Sequence, residues 1–296
     1  WVGTHVGYNM EICSGKVHAY IQTSLQNTLA QQTALLDRIP GVQDLQTAWL
    51  LLLFCGNARS TYQLRILPPH LTEGYAQSHD EAIARCLALL TTGSPDPIPD
   101  TSIATAQLPG RLGGLGLRSA AQQRFAAHWA SWCDSLPAIH QRAPLVATRL
   151  TQLLTQAVPI PTIQAATQAV TALRATGYNV PPWDNVLAGD PAPAHADEPG
   201  EPLRGWQRVA TIPTDERAQE MLFQNLTPAS QALLLSQGGP FAGRAFTTLP
   251  TSIDLRMSSP QFRIALLRRL RMPLPLAPHR CTCGGVIDAL GDHRAA

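Results

Sequence analysis

Apolar positions recur at helical spacing along most of this chain. Val17, Tyr20, Ile21, Leu25, Thr28, Leu35, Leu36 and Ile39 follow intervals of three and four, which predicts one amphipathic helix over about residues 16 to 38. Pro40-Gly41 ends it, and Asp44 is placed to N-cap the next helix. That helix carries the longest apolar run, AWLLLLFC from Ala48 to Cys55. The run is far too short to span about 30 Å of hydrocarbon, so it predicts a core helix buried on most sides rather than a membrane span. Pro68-Pro69 closes this helix. Thr72 can cap a third one reaching about Leu90, with Ile83, Leu87 and Leu90 on its inner face.

Residues 91 to 107 read as a Pro/Ser/Thr/Asp loop. A glycine-dense segment follows, and Ser119 then caps a helix carrying Phe125, Trp129 and Trp132, with Pro137 as its end. Two more helical stretches cover about 138 to 157 and 162 to 176. Residues 178 to 205 are rich in Pro, Gly and acids without any period, the best domain boundary in the chain. Beyond it, Thr214 precedes a helix with Met221, Leu222 and Phe223. Thr227-Pro228 forms an N-cap and N1 pair with Gly238 as the stop, and Ser259-Pro260 opens a short Arg-rich helix. No convincing alternating strand and no repeat is present. The expected fold class is mainly α: a multi-helix bundle over 1–177, a linker over 178–205, a smaller helical region over 206–272 and an irregular tail over 273–296.

Composition sharpens this only in part. Of 296 residues, 45% are hydrophobic and 14% charged, so a sizeable core is expected on a surface poor in charge. The net charge of +2 does not by itself point to nucleic acid. Lys16 is the only lysine, so nearly all positive charge is guanidinium. Cys13, Cys55, Cys86 and Cys133 sit in apolar or helical contexts and read as reduced packing residues. The chain opens at Trp1 with no basic n-region, which is expected of a fragment without a signal peptide.

The chemistry-bearing candidates are few. Leu108-Pro-Gly-Arg-Leu-Gly-Gly-Leu-Gly-Leu-Arg-Ser119 is neither a dinucleotide fingerprint, since no β-α-β unit surrounds it, nor a P-loop, since no Gly-Lys-Ser/Thr follows. It reads either as a tight connection between close-packed helices or as a loop at nucleic acid. In the second case Arg111 and Arg118 flank backbone amides, and the Ser119 helix N-terminus is open to a phosphate. His79-Asp80-Glu81 lies on a predicted helix, where neighbours point apart, and reads as a solvated face. Gly-x-Ser-x-Gly, His-Glu-x-x-His and the paired aspartates of two-metal nucleotidyl transfer are absent, so no catalytic residue can be named. Arg263, Arg268, Arg269 and Arg271 crowd one short helix whose Phe262, Leu266 and Leu270 face inward. They form either a solvated basic face with snorkelling stems or a phosphate patch. Cys281-x-Cys283 with His293 reads either as three of the four ligands of a structural zinc site or as an incidental exposed pair of cysteines.

Several of these segments, in this order, resemble the region downstream of the polymerase palm in non-LTR, LINE-like retrotransposon reverse transcriptases. The likeness is carried by VGTHVG near the start, by LQTAWLLLLFCGNARSTYQLRILPPH, and by Tyr75 with His79-Asp80. The Leu-Pro…Gly-Gly-Leu-Gly-Leu-Arg-Ser segment and the Leu-Arg-Arg-Leu…Cys…Gly-Asp-His ending complete it. It covers roughly two-thirds of the chain and leaves 178–205 unmatched. The family's aromatic-x-Asp-Asp turn has no counterpart here. The resemblance implies a non-catalytic, thumb-like helical body with a Cys/His knuckle, cut before a fourth ligand, and an upstream palm domain in the parent protein. Such a body would hold RNA or DNA template-primer backbone non-specifically. Arg59, Arg65, Arg111 and Arg118 would be the body's phosphate contacts, and Arg263, Arg268, Arg269 and Arg271 would serve beside the tail. No membrane partner is expected, and the expected location is intracellular, the nucleus included. The rival reading is a helical protein-interaction scaffold without nucleic acid, which the modest net charge favours.

Overall fold

In the computed structural model the described residues are 2–189, 195–196, 202–203, 205–275 and 279–291, with side chains over 15–189, 205–275 and 280–291. The fold is mainly α. The described strands are two two-residue ribbons, β1 (His195–Ala196) with β2 (Pro202–Leu203) and β3 (His279–Arg280) with β4 (Val286–Ile287), both antiparallel.

The first helix, α1 (Val2–Leu36), is longer than its apolar period predicts. Val17 and Tyr20, expected on its inner face, are 57% and 75% exposed, whereas Leu25, Gln32 and Leu36 are buried. The reason lies in its neighbours. Gln22 Nε2 donates to Leu71 O at 3.2 Å, near the start of α4 (Pro69–Thr92), so the turns before it run past the helix they pack on. Asp44 caps α2 (Leu45–Leu50), its carboxylate accepting from the Thr47 amide at 2.7 Å. The apolar run then widens into a π turn over Leu51–Gly56 and a 3-10 turn before α3 (Thr61–Ile66). A Cβ on Gly56 would lie 2.8 Å from Leu36 Cδ2, so glycine here lets α1 approach. The widened turn points Leu51, Phe54 and Cys55 to solvent, and the run is buried on its Ala48, Trp49, Leu52 and Leu53 side. Pro69 opens α4 at a position where its missing N–H is not needed, three residues before Thr72, which is buried inside the helix.

Within the segment expected to be a loop, α5 (Asp100–Gln107) forms. Asp100 in its first turn suits the helix dipole, and Ser102 Oγ anchors the helix by donating to Leu270 O at 2.8 Å. The central helix is α6 (Ala120–Arg142), capped by Ser119. Pro137 does not end it. Leu136 and Cys133 beside the proline are fully buried, and packing on both sides outweighs one lost backbone bond. Around α6 stand α7 (Pro144–Gln156), α8 (Pro161–Ala175), α9 (Trp183–Leu187) and α10 (Trp206–Gln224), which likewise runs through Pro213 instead of beginning at Thr214. Then come α11 (Pro228–Ser236), capped by Thr227 as expected, α12 (Arg244–Thr247) and α13 (Ser259–Arg269). The cap of α13 is Ser258, which forms a capping box with Gln261 one residue ahead of the expected Ser259.

Two main cores result, and they do not follow the linear division of the sequence. The first joins Trp49, Leu52, Leu87 and Leu117 to Phe246, Phe262, Leu266 and Leu270. Trp49 Nε1 donates to Phe246 O at 2.7 Å, Gln46 brackets Leu255 O and the Met257 amide, and Ser259 Oγ accepts from the Leu45 amide. The second core gathers Trp129, Cys133, Leu154, Val170 and Trp206. Trp129 meets Tyr178 and Trp206 edge-on at 5.5 and 5.7 Å, a favoured aromatic geometry. Segment 206–272, expected as a separate small region, is thus shared between both cores. The start of the expected linker also lies in the second core, through Tyr178, Val180 and Val186.

Candidate nucleic-acid interface

The glycine segment forms a closed knot of backbone. Gly113 and Gly116 take φ of +88° and +82°, where side chains are strained. A Cβ on Gly114 would lie 2.0 Å from Leu108 O, and one on Gly110 would lie 2.8 Å from Gly243 Cα. The amides of Gly113, Gly114, Gly116 and Leu117 donate to Gly110, Pro109, Leu108 and Ala106 carbonyls at 2.8–3.1 Å. Those amides are therefore turned inward rather than toward a ligand.

Arg269 completes the knot. It is 6% exposed, donates to Gly114 O, Gly110 O and Gln237 O at 2.7–3.1 Å, and stands 5.8 Å from the Phe246 ring. Burial pulls its guanidinium down to about 10, still charged at neutral pH. This arginine, expected at a phosphate or on a solvated face, is an internal tie. Arg268 is half-buried and donates to Leu290 O and Gly291 O, fastening the tail. Arg263 is exposed, and Arg271 is half-buried with a φ of +56°. These four arginines do not form one face.

The N-terminus of α6, expected to be open to a phosphate, already holds an anion. The Asp80 carboxylate accepts from Ser119 Oγ at 2.6 Å and from the amides of Ala120 and Ala121 at 2.7 and 3.1 Å. Burial pushes this carboxyl above the usual range, opposed by those same three bonds. His79 is fully buried and bonded to Gln32 Oε1 at 3.1 Å, and Tyr75 donates to the same oxygen at 2.9 Å. Burial holds the His79 imidazole below its ordinary value, toward the neutral form. The pair His79-Asp80 is therefore not a solvated face. Helix α4 is covered on two sides, so adjacent residues both find buried partners.

Two expected arginines do come together. Arg65 on α3 and Arg118 before α6 line one cleft of about 340 Å3 with Arg208, Gln207 and Trp206 of α10. Arg65 pairs with Asp134 at 2.6 Å and donates to Gln207 Oε1 at 3.2 Å, and Arg118 pairs with Asp215. Asp215 is buried, while both arginines keep 28% of their side chains exposed and Arg208 is exposed. The cleft thus gathers three guanidiniums, with Asp134 and Asp215 beside two of them. Beneath it lies His128, whose imidazole burial lowers to about 4 against the opposing backbone of Arg65 and Leu67. Arg59 is exposed elsewhere, its Nε donating to Cys55 O, and Arg111 sits 3.6 Å from Glu216. Arg208 was hidden in sequence at the edge of the supposed linker. Asp80, Asp134 and Asp215 carried no local signal, because their partners lie 39 to 97 positions away.

Cys281 and Cys283 occupy the turn of the β3–β4 ribbon, where Gly284 takes a φ of +88° and its amide donates to Cys281 O at 2.8 Å. Two thiols on one tight turn suit one edge of a metal site. His293 lies outside the described residues, among which no cluster of three His, Cys, Asp or Glu stands at metal-binding range. Among the described residues no helix is long and apolar enough to cross a membrane. Compared with protein-family models, curated proteins and solved structures, the chain matches none.

Proposed function

We propose that this chain is the non-catalytic, thumb-like portion of a retroelement-derived reverse transcriptase, holding template-primer backbone in the Arg65–Arg118–Arg208 cleft. The observation that carries the reading is the convergence of three guanidiniums, from three separate parts of the chain, on one partly open cleft. Arg59 and Arg263 are exposed outside this cleft. Polymerase chemistry belongs in this proposal to an upstream palm, and the chain itself contributes no catalytic group. Zinc held by Cys281, Cys283 and His293 belongs to the same proposal and would cross-link the tail. An intracellular, nuclear site of action follows from the same reading. A scaffold role is the second reading, favoured by one observation: Leu51, Phe54, Tyr62 and Ile66 are exposed large apolar side chains within one short span of chain.

The test is fluorescence anisotropy of a labelled RNA–DNA primer-template between about 50 and about 200 mM salt. Three phosphate contacts give a log–log slope of about −2 to −3, and Arg65→Gln and Arg208→Gln each lower its magnitude by about 1. No binding at about 50 mM, where counterion release is strongest, sinks the proposal and leaves the scaffold.

A further inference from the structure

A second concavity lies apart from the arginine cleft and shares no residue with it. It encloses about 820 Å3 between the start of α4, the first turns of α6 and one face of α8. Its α8 wall is a stripe of neutral polar side chains, since Gln164, Thr167, Gln168 and Thr171 recur at i, i+3, i+4 and i+7. The other face of α8 carries Ile163, Ala166, Val170 and Leu173 into the second core, so the helix is fixed and its polar stripe held at the groove. Ala165 and Ala172 add small, apolar lining.

Arg124 and Phe125 line the same groove, the guanidinium carbon 4.5 Å from the ring centroid. Glu73 pairs with Arg124 at 2.9 Å and the Ala121 carbonyl takes another of its protons. Its Nε is buried with no acceptor among the described residues. With its charge met by Glu73, this arginine is poorly suited to capture a phosphate. What it retains is a flat face and a donor in want of an acceptor. A neutral, planar ligand rich in ring nitrogens and carbonyls fits these features, and carboxamides offering both donors and acceptors match the edge of a nucleobase.

We propose that this groove takes an unpaired nucleobase, stacked on the Arg124–Phe125 pair and hydrogen-bonded by Gln164 and Gln168. The proposal rests on the nucleic-acid reading above and adds single-strand recognition to it. The base can arrive on a strand or as a free nucleoside. The probes are a fluorescein-labelled strand of deoxyadenosines, an abasic strand of equal length, adenosine alone, and the primer-template duplex. The base-bearing strand is expected to bind about tenfold tighter than the abasic one, as stacking of a single base provides. The Gln164→Ala/Gln168→Ala double variant should cut that difference to about threefold, the part that stacking on Arg124–Phe125 leaves, while its melting temperature and duplex binding hold, since both glutamines are exposed. Competition by adenosine supports the groove as a nucleoside site. Strand preference without such competition supports it as a strand site. Equal binding of the two strands, or a preference that the double variant leaves unchanged, overturns the proposal. Duplex binding retained in that event leaves the arginine cleft standing, and its loss brings both down.

Discussion

The glycine knot and the arginine cleft both carry arginines, yet they use them in opposite ways. At the knot, Arg269 spends its donors on three backbone carbonyls and is closed to solvent. At the cleft, Arg65 and Arg118 keep an acid partner each and remain partly open. Glycine density marks where backbone meets backbone, and that geometry consumes the amides a ligand would need. The lesson is that the most conspicuous motif in the chain reports a packing constraint, whereas the cleft proposed to meet an anion is built from scattered residues without a motif.

The sharpest way to break this contrast is to damage the knot. Gly114→Ala, driving a Cβ into Leu108 O, and Arg269→Ala, stranding buried carbonyls, should each cost about 3 kcal/mol or more, read as a fall in the urea midpoint. Arg269→Lys should recover little, because an ammonium cannot span carbonyls arranged for a fork. A loss below about 1 kcal/mol for either alanine variant would return the knot to the list of open sites.

Acid should strike next, from beneath the cleft. His128 sits at about 4 in the fold against about 6.5 unfolded, so its contribution is complete above pH 6.5 and is lost as pH falls toward 4. At pH 5 the expected loss is about 2 kcal/mol. His79, also lowered, acts in the same direction. Urea titrations at pH 7 and pH 5 check this, and His128→Gln should flatten the dependence. Asp80→Asn should cost about 1 kcal/mol by weakening the cap on α6, with duplex binding unchanged at equal salt. If binding improves instead, the α6 N-terminus competes for phosphate and Asp80 screens it. The smallest effect on stability belongs to Arg208→Gln, within about 0.5 kcal/mol for an exposed side chain, although it should reduce the salt slope.

Local capping was readable in part, since Thr72 and Thr214 lie inside their helices and the cap of α13 is Ser258 rather than Ser259. Asp44, Ser119 and Thr227 each cap as their residue type and position indicate. The inner face of α4 was readable too, through Ile83, Leu87 and Leu90, because a regular period on a long helix survives any tertiary arrangement. What failed depended on distant partners. Pro137 and Pro213 are poor helix residues whose neighbours are buried by other helices, and propensity yields to that burial. Short α5 was masked by flanking prolines and is held by Ser102 reaching Leu270. Of the candidate site, Arg118 was legible beside the glycine segment, and Arg65 was named only through the resemblance. Their convergence with Arg208 needs α10 folded back onto α6, which no local pattern encodes.

The first core is closed by residues from both ends of the chain: Leu45 meets Ser259, Trp49 meets Phe246, and Ser102 meets Leu270. Contacts of such sequence separation form late and slowly. During synthesis α2 and α4 therefore leave the ribosome with Trp49, Leu52 and Leu87 uncovered, and they stay so until α13 emerges. The nascent chain is expected to need shielding while the residues between α2 and α13 are made. A chain ended before α13 is expected to keep that apolar surface bare and to aggregate.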